Sequence, residues 1–210
     1  MMRNRKYLVI GGGAQAKYVI DILETYNATI EGILDIENNK EYHGTKVHDI
    51  EVLGYYKNLI QNFDPKQYNV VICYSNNNVK EKIYRELKEL GYQFPNIIHP
   101  TAYISKTATI GEGCIINSNV SIMPFAKIGN LVVIHSNCVI EHDCVIEDFV
   151  NLGPSATLAG YVKVGKKSYI YTNATVLPGV NIGSEAVVGA GSVVINDVGS
   201  NEVVKGVPAK

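Results

Sequence analysis

Apolar and polar positions follow two different rhythms along the chain. In the first, short apolar runs alternate with helical spacing. Tyr7-Leu8-Val9-Ile10 reads as a strand that enters Gly11-Gly12-Gly13, and from Ala14 the positions Ala16, Tyr18, Val19, Ile22 and Leu23 predict a helix to about Tyr26. A second strand is expected from Thr29 to Leu34, ending at Asp35, and residues 35–44 are polar and turn-like. A short helix is expected around residues 55–63, then a strand from Tyr68 to Cys73. Val79, Ile83, Leu87 and Leu90 mark one face of a helix that stops at Gly91. Alternation of this kind predicts a small parallel sheet with helices on its faces.

Past Pro100 the rhythm changes to six. Every sixth residue from Ile104 to Val194 is aliphatic, sixteen in all, and two places before each stands a small or β-branched residue, as at Ala108, Cys114, Cys138, Cys144, Ala156 and Ala174. Six is neither the helical nor the strand period. It fits short strands that each turn the same position inward and meet at identical tight corners, so that stacked coils bury an aliphatic ladder. Three strands to a coil make a coil of 18 residues and predict about five coils between about residues 102 and 195. The fold class is therefore α/β followed by β: a Rossmann-like domain over 1–97, then a β-helix with a C-terminal tail over 98–210.

Composition narrows the chemistry. Among 210 residues, 19 Lys+Arg oppose 20 Asp+Glu, for a net charge of -1, which removes the basic excess a nucleic-acid surface needs. No apolar run is long enough for a membrane span, and the start of the chain fits neither a signal peptide nor an anchor. The four cysteines, Cys73, Cys114, Cys138 and Cys144, form no C-x-x-C pair, so reduced thiols and a cytoplasmic location are expected. Three of them occupy the small inward column, where a thiol is a small hydrophobe. The histidines His43, His48, His99, His135 and His142 share no ligand-like spacing, and no metal is expected.

His142 stands two places after Ile140, next to a corner and outside the aliphatic column, flanked by Glu141 and Asp143. Imidazole as a class can accept a proton near neutral pH. On the residues alone, a solvated His–acid surface cluster is an equally good reading. Gly160 lies 18 residues further, one coil along the same column. Gly11-Gly12-Gly13-Ala14-Gln15-Ala16 with Asp35 satisfies the dinucleotide fingerprint, but about 95 residues are too few for both halves of a dinucleotide fold. Ser75-Asn76-Asn77 follows the third strand at its carboxyl end, where open α/β sheets bind ligands.

The Gly-rich turn, the hexapeptide repeat, His99-Pro100, Glu141-His142-Asp143-Cys144 and the closing Gly206-Val207-Pro208-Ala209-Lys210 together resemble bacterial sugar O/N-acyltransferases of the NeuD/PglD type. The resemblance spans essentially the whole chain and implies a left-handed β-helix, a homotrimer with sites between subunits, and acetyl-CoA as donor. The implied acceptor is the amino group of a nucleotide-linked amino-dideoxy sugar. A sugar O-acetyltransferase of the sialic acid type, or a non-catalytic nucleotide-binding scaffold, are the alternatives. By the same resemblance His142 is the general base, Asp143 orients it, and the Gly160 N–H steadies the thioester oxygen. Gly11, Gly12, Gly13, Gln15, Asp35, Ser75, Asn76, Asn77 and Lys80 then face the nucleotide sugar. Asn151, Gly160, Ala174, Pro178, Gly206, Val207 and Pro208 line the CoA channel. The family commonly has histidine at the place of Asn151 and asparagine at that of His135; here the two types are exchanged, and His135 is a candidate for the acceptor sugar. Apolar side chains expected outside the prism at Met123, Val133 and Tyr171 suggest faces covered by other copies.

Overall fold

The computed structural model describes residues 5–210, in two compact units that divide between Pro95 and Asn96. In the first unit, β1 (Lys6–Ile10), β2 (Ile30–Asp35), β4 (Ile50–Tyr55) and β5 (Tyr68–Ile72) pair in parallel. β3 (Lys46–Val47) adds an antiparallel edge, giving the order β3-β4-β2-β1-β5. β1 is an interior strand between β2 and β5, and its unbroken apolar run Leu8, Val9 and Ile10 is fully buried. The helices α1 (Ala14–Thr25) and α3 (Asn77–Glu89) match the expected periodicity, with α2 (Tyr56–Leu59) and a 3-10 turn (Ile60–Asn62) between β4 and β5. The β3–β4 hairpin was not expected. Its turn, His48-Asp49, has φ of 48° and 62°, the doubly left-handed form that fits the twist of paired strands.

The carboxyl ends of β1, β2 and β5 come together. Gly11 N–H donates to Leu34 O (2.8 Å) and Cys73 N–H to Ile10 O (2.7 Å). Gly11 has φ +92°, and a Cβ there would stand 2.5 Å from Cys73 O, so the turn admits only glycine.

The second unit is a parallel β-helix of eighteen two-residue strands in three sheets of six, five and seven. Successive strands of a sheet are 18 residues apart, as in Ser121↔Val139 and Val139↔Thr157. The aliphatic ladder is inward: Ile116, Ile134 and Leu152 are fully buried, as are Cys114, Cys138 and Cys144 in the small column. The solenoid is longer than the period alone suggested. It opens at Ile97–Ile98, which pairs with Ile115–Ile116, and continues to Val203–Val204, making six coils. The last coil has 16 residues, since Ile182 bridges Val198 and Val187 pairs with Val203. Two residues fewer between Val194 and Val198 restore an aliphatic side chain to the ladder where a strict period would place Ser200.

From the second coil on, the corners are left-handed residues. Every sixth position from Gly113 to Gly191 has a positive φ, whether it holds glycine, asparagine or a bulky side chain such as Phe125, Leu131 or Tyr161. The position just before each corner, two after the aliphatic, gives no N–H to the backbone ladder. Proline stands there at 100, 124, 154 and 178.

Candidate active site

His142 and Asp143 meet at one such corner. Neighbours on a straight strand would point apart, but Asp143 is the corner residue (φ 59°), and this turns its carboxylate back. Oδ2 lies 2.9 Å from His142 Nδ1. A carboxylate only accepts, so Nδ1 carries the hydrogen and Nε2 is left as the proton acceptor. Both side chains are partly exposed, 48% for His142 and 38% for Asp143.

Gly160 lies under the imidazole. A Cβ built on it would fall 2.7 Å from Cε1 and 2.8 Å from Nε2 of His142, so the ring rests on bare backbone. Gly160 occupies the position whose N–H the ladder does not use. Along another edge of the prism side chains accept these hydrogens: Asn130 Oδ1 from Glu112 (3.0 Å), Asp148 Oδ1 from Asn130 (2.7 Å) and Glu147 Oε2 from Lys166 (2.9 Å). Along the edge of His142, no described protein group takes the hydrogen of Gly160, although the residue is buried. A proton acceptor and an unclaimed amide therefore adjoin within one coil step. Tyr161 closes the other side, its ring perpendicular to the imidazole with centroids 5.1 Å apart.

In the first unit a cleft of about 460 Å³ is lined by Gly12, Gly13, Ala14, Lys17, Tyr42, Lys46, Val47 and His48. It pairs the N-terminus of α1 with two lysines, a setting suited to phosphate. Tyr42 donates to Gly12 O (2.7 Å), and burial and the nearby Asp35 push its phenol up, so it remains a donor at neutral pH. The sequence reading missed Tyr42, Lys46 and His48. Only the polar turn-like character of residues 35–44 hinted at a loop near the glycines.

The other expected residues fall into place unevenly. Asp35 is buried and holds its own loop: it accepts from Glu37 N–H (3.2 Å), Asn39 N–H (2.6 Å) and His43 Nε2 (3.3 Å). Asn76 caps α3, accepting from Asn78 and Val79, while Ser75 is exposed at the same loop. Asn77 and Lys80 are buried, Lys80 almost completely, because both lie on the inward face of α3. Gln15 turns a buried Oε1 without a protein partner from the start of α1. Ala174 is a core residue of the small inward column and offers a ligand no side-chain surface. Pro178 is exposed one coil beyond Gly160. Gly206, Val207 and Pro208 are exposed, and the tail is fastened to the last coil by Val193 N–H on Gly206 O (3.0 Å) and Ala209 N–H on Val193 O (2.8 Å).

His135 and Asn151 belong to a different prism face from His142. His135 follows the strand Val133–Ile134, which pairs with Asn151–Leu152, whereas His142 follows Val139–Ile140 in the next sheet. His135 Nδ1 lies 3.4 Å from Asn117 Nδ2, and Asn151 Nδ2 donates to Phe149 O (3.2 Å). A single chain does not bring His135 to His142. Val133, expected to be exposed, is buried within the single chain, while Tyr171 is half-exposed.

Residues 6–87 match the PglD N-terminal domain family, and residues 125–160 match the bacterial transferase hexapeptide (six repeats). A His-to-Ala mutant of GDP-perosamine N-acetyl transferase from Caulobacter crescentus, solved with CoA and GDP-perosamine, is 32% identical. The alignment covers 98% of this chain and 95% of that one, with TM-score 0.91. The acetyltransferase domain of PglB from Neisseria gonorrhoeae, also solved with acetyl coenzyme A, is 29% identical over 99% of both chains, TM-score 0.91. Serine acetyltransferase 2 of Arabidopsis thaliana is 34% identical over 115 residues; the chain spans only 31% of its length. The chain belongs to the sugar acyltransferases of the NeuD/PglD type, an acetyl-CoA-dependent group, and its β-helix is of their left-handed kind. Among the described residues no helix is long and apolar enough to cross a membrane, and no cluster of His, Cys, Asp and Glu could hold a metal ion.

Proposed function

We propose that the protein transfers the acetyl group of acetyl-CoA to the amino group of a nucleotide-linked amino-dideoxy sugar, with His142 as general base. The observation that carries this is the unclaimed, buried amide of Gly160 beneath the His142 ring. A thioester is already activated, so the protein has three tasks: to hold the amine near the carbonyl carbon, take its proton, and receive the oxyanion. The amine lone pair attacks the carbonyl carbon while its proton passes to His142 Nε2. The oxyanion accepts the Gly160 N–H. The carbonyl re-forms, the C–S bond breaks, and the imidazolium returns the proton to the departing sulfur, leaving amide and free CoA thiol. Asp143 holds the imidazole in the tautomer that makes this possible.

The nucleotide end of the acceptor belongs in the Gly12-Gly13 cleft, with Lys17 and Lys46 toward its phosphates. The relative that acts on GDP-perosamine supports this acceptor class. The working form is a homotrimer in the cytoplasm, in keeping with four buried cysteines that form no disulfide. A neighbouring copy would cover the partly exposed His142 side chain, and His135 and Asn151 are the face residues available for that contact.

The test is a screen of UDP-, dTDP-, GDP- and CMP-linked amino sugars with acetyl-CoA, following thiol release. His142→Ala serves as the blank and light scattering gives the assembly. Thiol release without an amino sugar, undiminished in H142A, would remove the reading.

A further inference from the structure

The corner geometry puts an aromatic where neither packing nor backbone preference asks for one. Left-handed corners suit glycine and asparagine, and Gly113, Asn137 and Asn173 follow that preference. Leu131 and Phe149 use the same strained position to bury their side chains. Tyr161 does neither, and nor does Phe125 two coils earlier on the same edge: both have a positive φ, +64° and +63°, and both are 59% exposed. What sets Tyr161 apart from Phe125 is the contact of its ring with His142. Its N–H donates to His142 O (3.1 Å), as the corner N–H does to the previous coil all along the solenoid, but its ring also stands at 89° to the imidazole with centroids 5.1 Å apart.

The imidazole needs such a tie. The Asp143 bond fixes one ring nitrogen but leaves the ring plane free to swing about that bond, and the side chain is nearly half exposed. Gly160 sets a floor beneath Cε1 and Nε2 without holding the ring against it. We infer that Tyr161 is a positioning residue: its ring fixes the plane of His142 so that Nε2 stays over the Gly160 backbone. An aromatic edge contact is directional, so a side chain of equal bulk without a ring cannot replace it. The inference rests on the proposed role of His142 as base.

Tyr161→Phe keeps the ring, Tyr161→Leu removes it at a corner type that Leu131 shows can carry leucine, and Tyr161→Asn removes it while easing the backbone. Two readouts are compared. In ¹H–¹³C spectra of the full chain, with the His142 ring resonances identified by their loss in H142A, Y161F should match wild type and both Y161L and Y161N should shift the His142 signals. In acetyl transfer to the best amino sugar of the screen, kcat should fall about tenfold in Y161L and Y161N, with KM for acetyl-CoA within about twofold and Y161F near wild type. Unchanged His142 resonances in Y161L, or a kcat loss in Y161F equal to that in Y161L, overturns the inference. If wild type transfers acetyl to no amino sugar, the proposed function fails, and the resonance comparison alone decides the role of Tyr161.

Discussion

Gly160→Ala probes the candidate site with one methyl group. Gly160 has no left-handed backbone, so alanine brings no torsional penalty, and the only atoms it meets within 3.4 Å belong to the His142 ring, at 2.7, 2.8 and 3.4 Å. Carbon contacts settle near 3.5–4.0 Å, so the imidazole must retreat by about 1 Å. It can do so only by stretching the 2.9 Å bond to Asp143 or by pressing on Tyr161. A displacement of that size at a reacting group costs about 10²-fold, or about 2.7 kcal/mol in the barrier. Stability should change little, because the ring is partly exposed and alanine restricts the unfolded chain by about 0.4–1 kcal/mol relative to glycine. The assay is steady-state thiol release at saturating acetyl-CoA beside a thermal melt. A kcat within twofold of wild type would refute the argument that this bare backbone exists for His142.

Three further outcomes are expected. His142→Ala should lower kcat by about 10²–10⁴-fold with acetyl-CoA affinity kept, and Asp143→Asn should cost less, since it removes the orienting acceptor and leaves the base; the two are compared by kcat and by calorimetric titration with acetyl-CoA. Lys46→Ala should raise the Kd for GDP or UDP by about tenfold if the cleft beside Gly12 holds phosphate, and an unchanged calorimetric Kd takes the cleft out of nucleotide binding. Burial pushes the Cys138 thiol up to about 12, so below the unfolded value of about 8.5 both states are protonated and stability is whole; as pH rises past 8.5 only the unfolded thiol ionises and stability is lost. At pH 10 the loss is about 2 kcal/mol. Urea midpoints at pH 8 and 10 should therefore diverge more in wild type than in Cys138→Ala, a side chain its column already holds at Ala156 and Ala174.

The solenoid was legible because its requirement is simple: one inward aliphatic side chain per six residues, from Ile104 to Val194, with a small partner two places earlier. His142 was legible as a departure from that ladder. What stayed hidden depended on torsions and on distant pairings. The pairing of Asp143 with His142 was expected from the resemblance, but not the positive φ that produces it, which Phe125, Leu131 and Lys167 adopt equally. The Tyr42–Gly12 bond joins residues thirty apart, and the β3–β4 hairpin is too short to show alternation. Lys80 shows what residue type alone leaves out. A charged residue just after a ligand-side loop looks like a binding group, but the inward face of α3 buries it.

The residue before each corner has a consequence for how such enzymes diversify. The stacked coils need neither its side chain nor its hydrogen, which is why Pro100, Pro124, Pro154 and Pro178 sit there without harm. The scaffold thus repeats, at every step along three edges, an amide that the backbone ladder does not use. Proline silences it, and a neighbouring asparagine or aspartate, as at Asn130 and Asp148, occupies it. Glycine beneath a histidine leaves it open to an incoming oxygen. Chemistry on this frame can be installed, erased or moved one coil along by exchanging one or two side chains, with no loop to rebuild and no strand to lose.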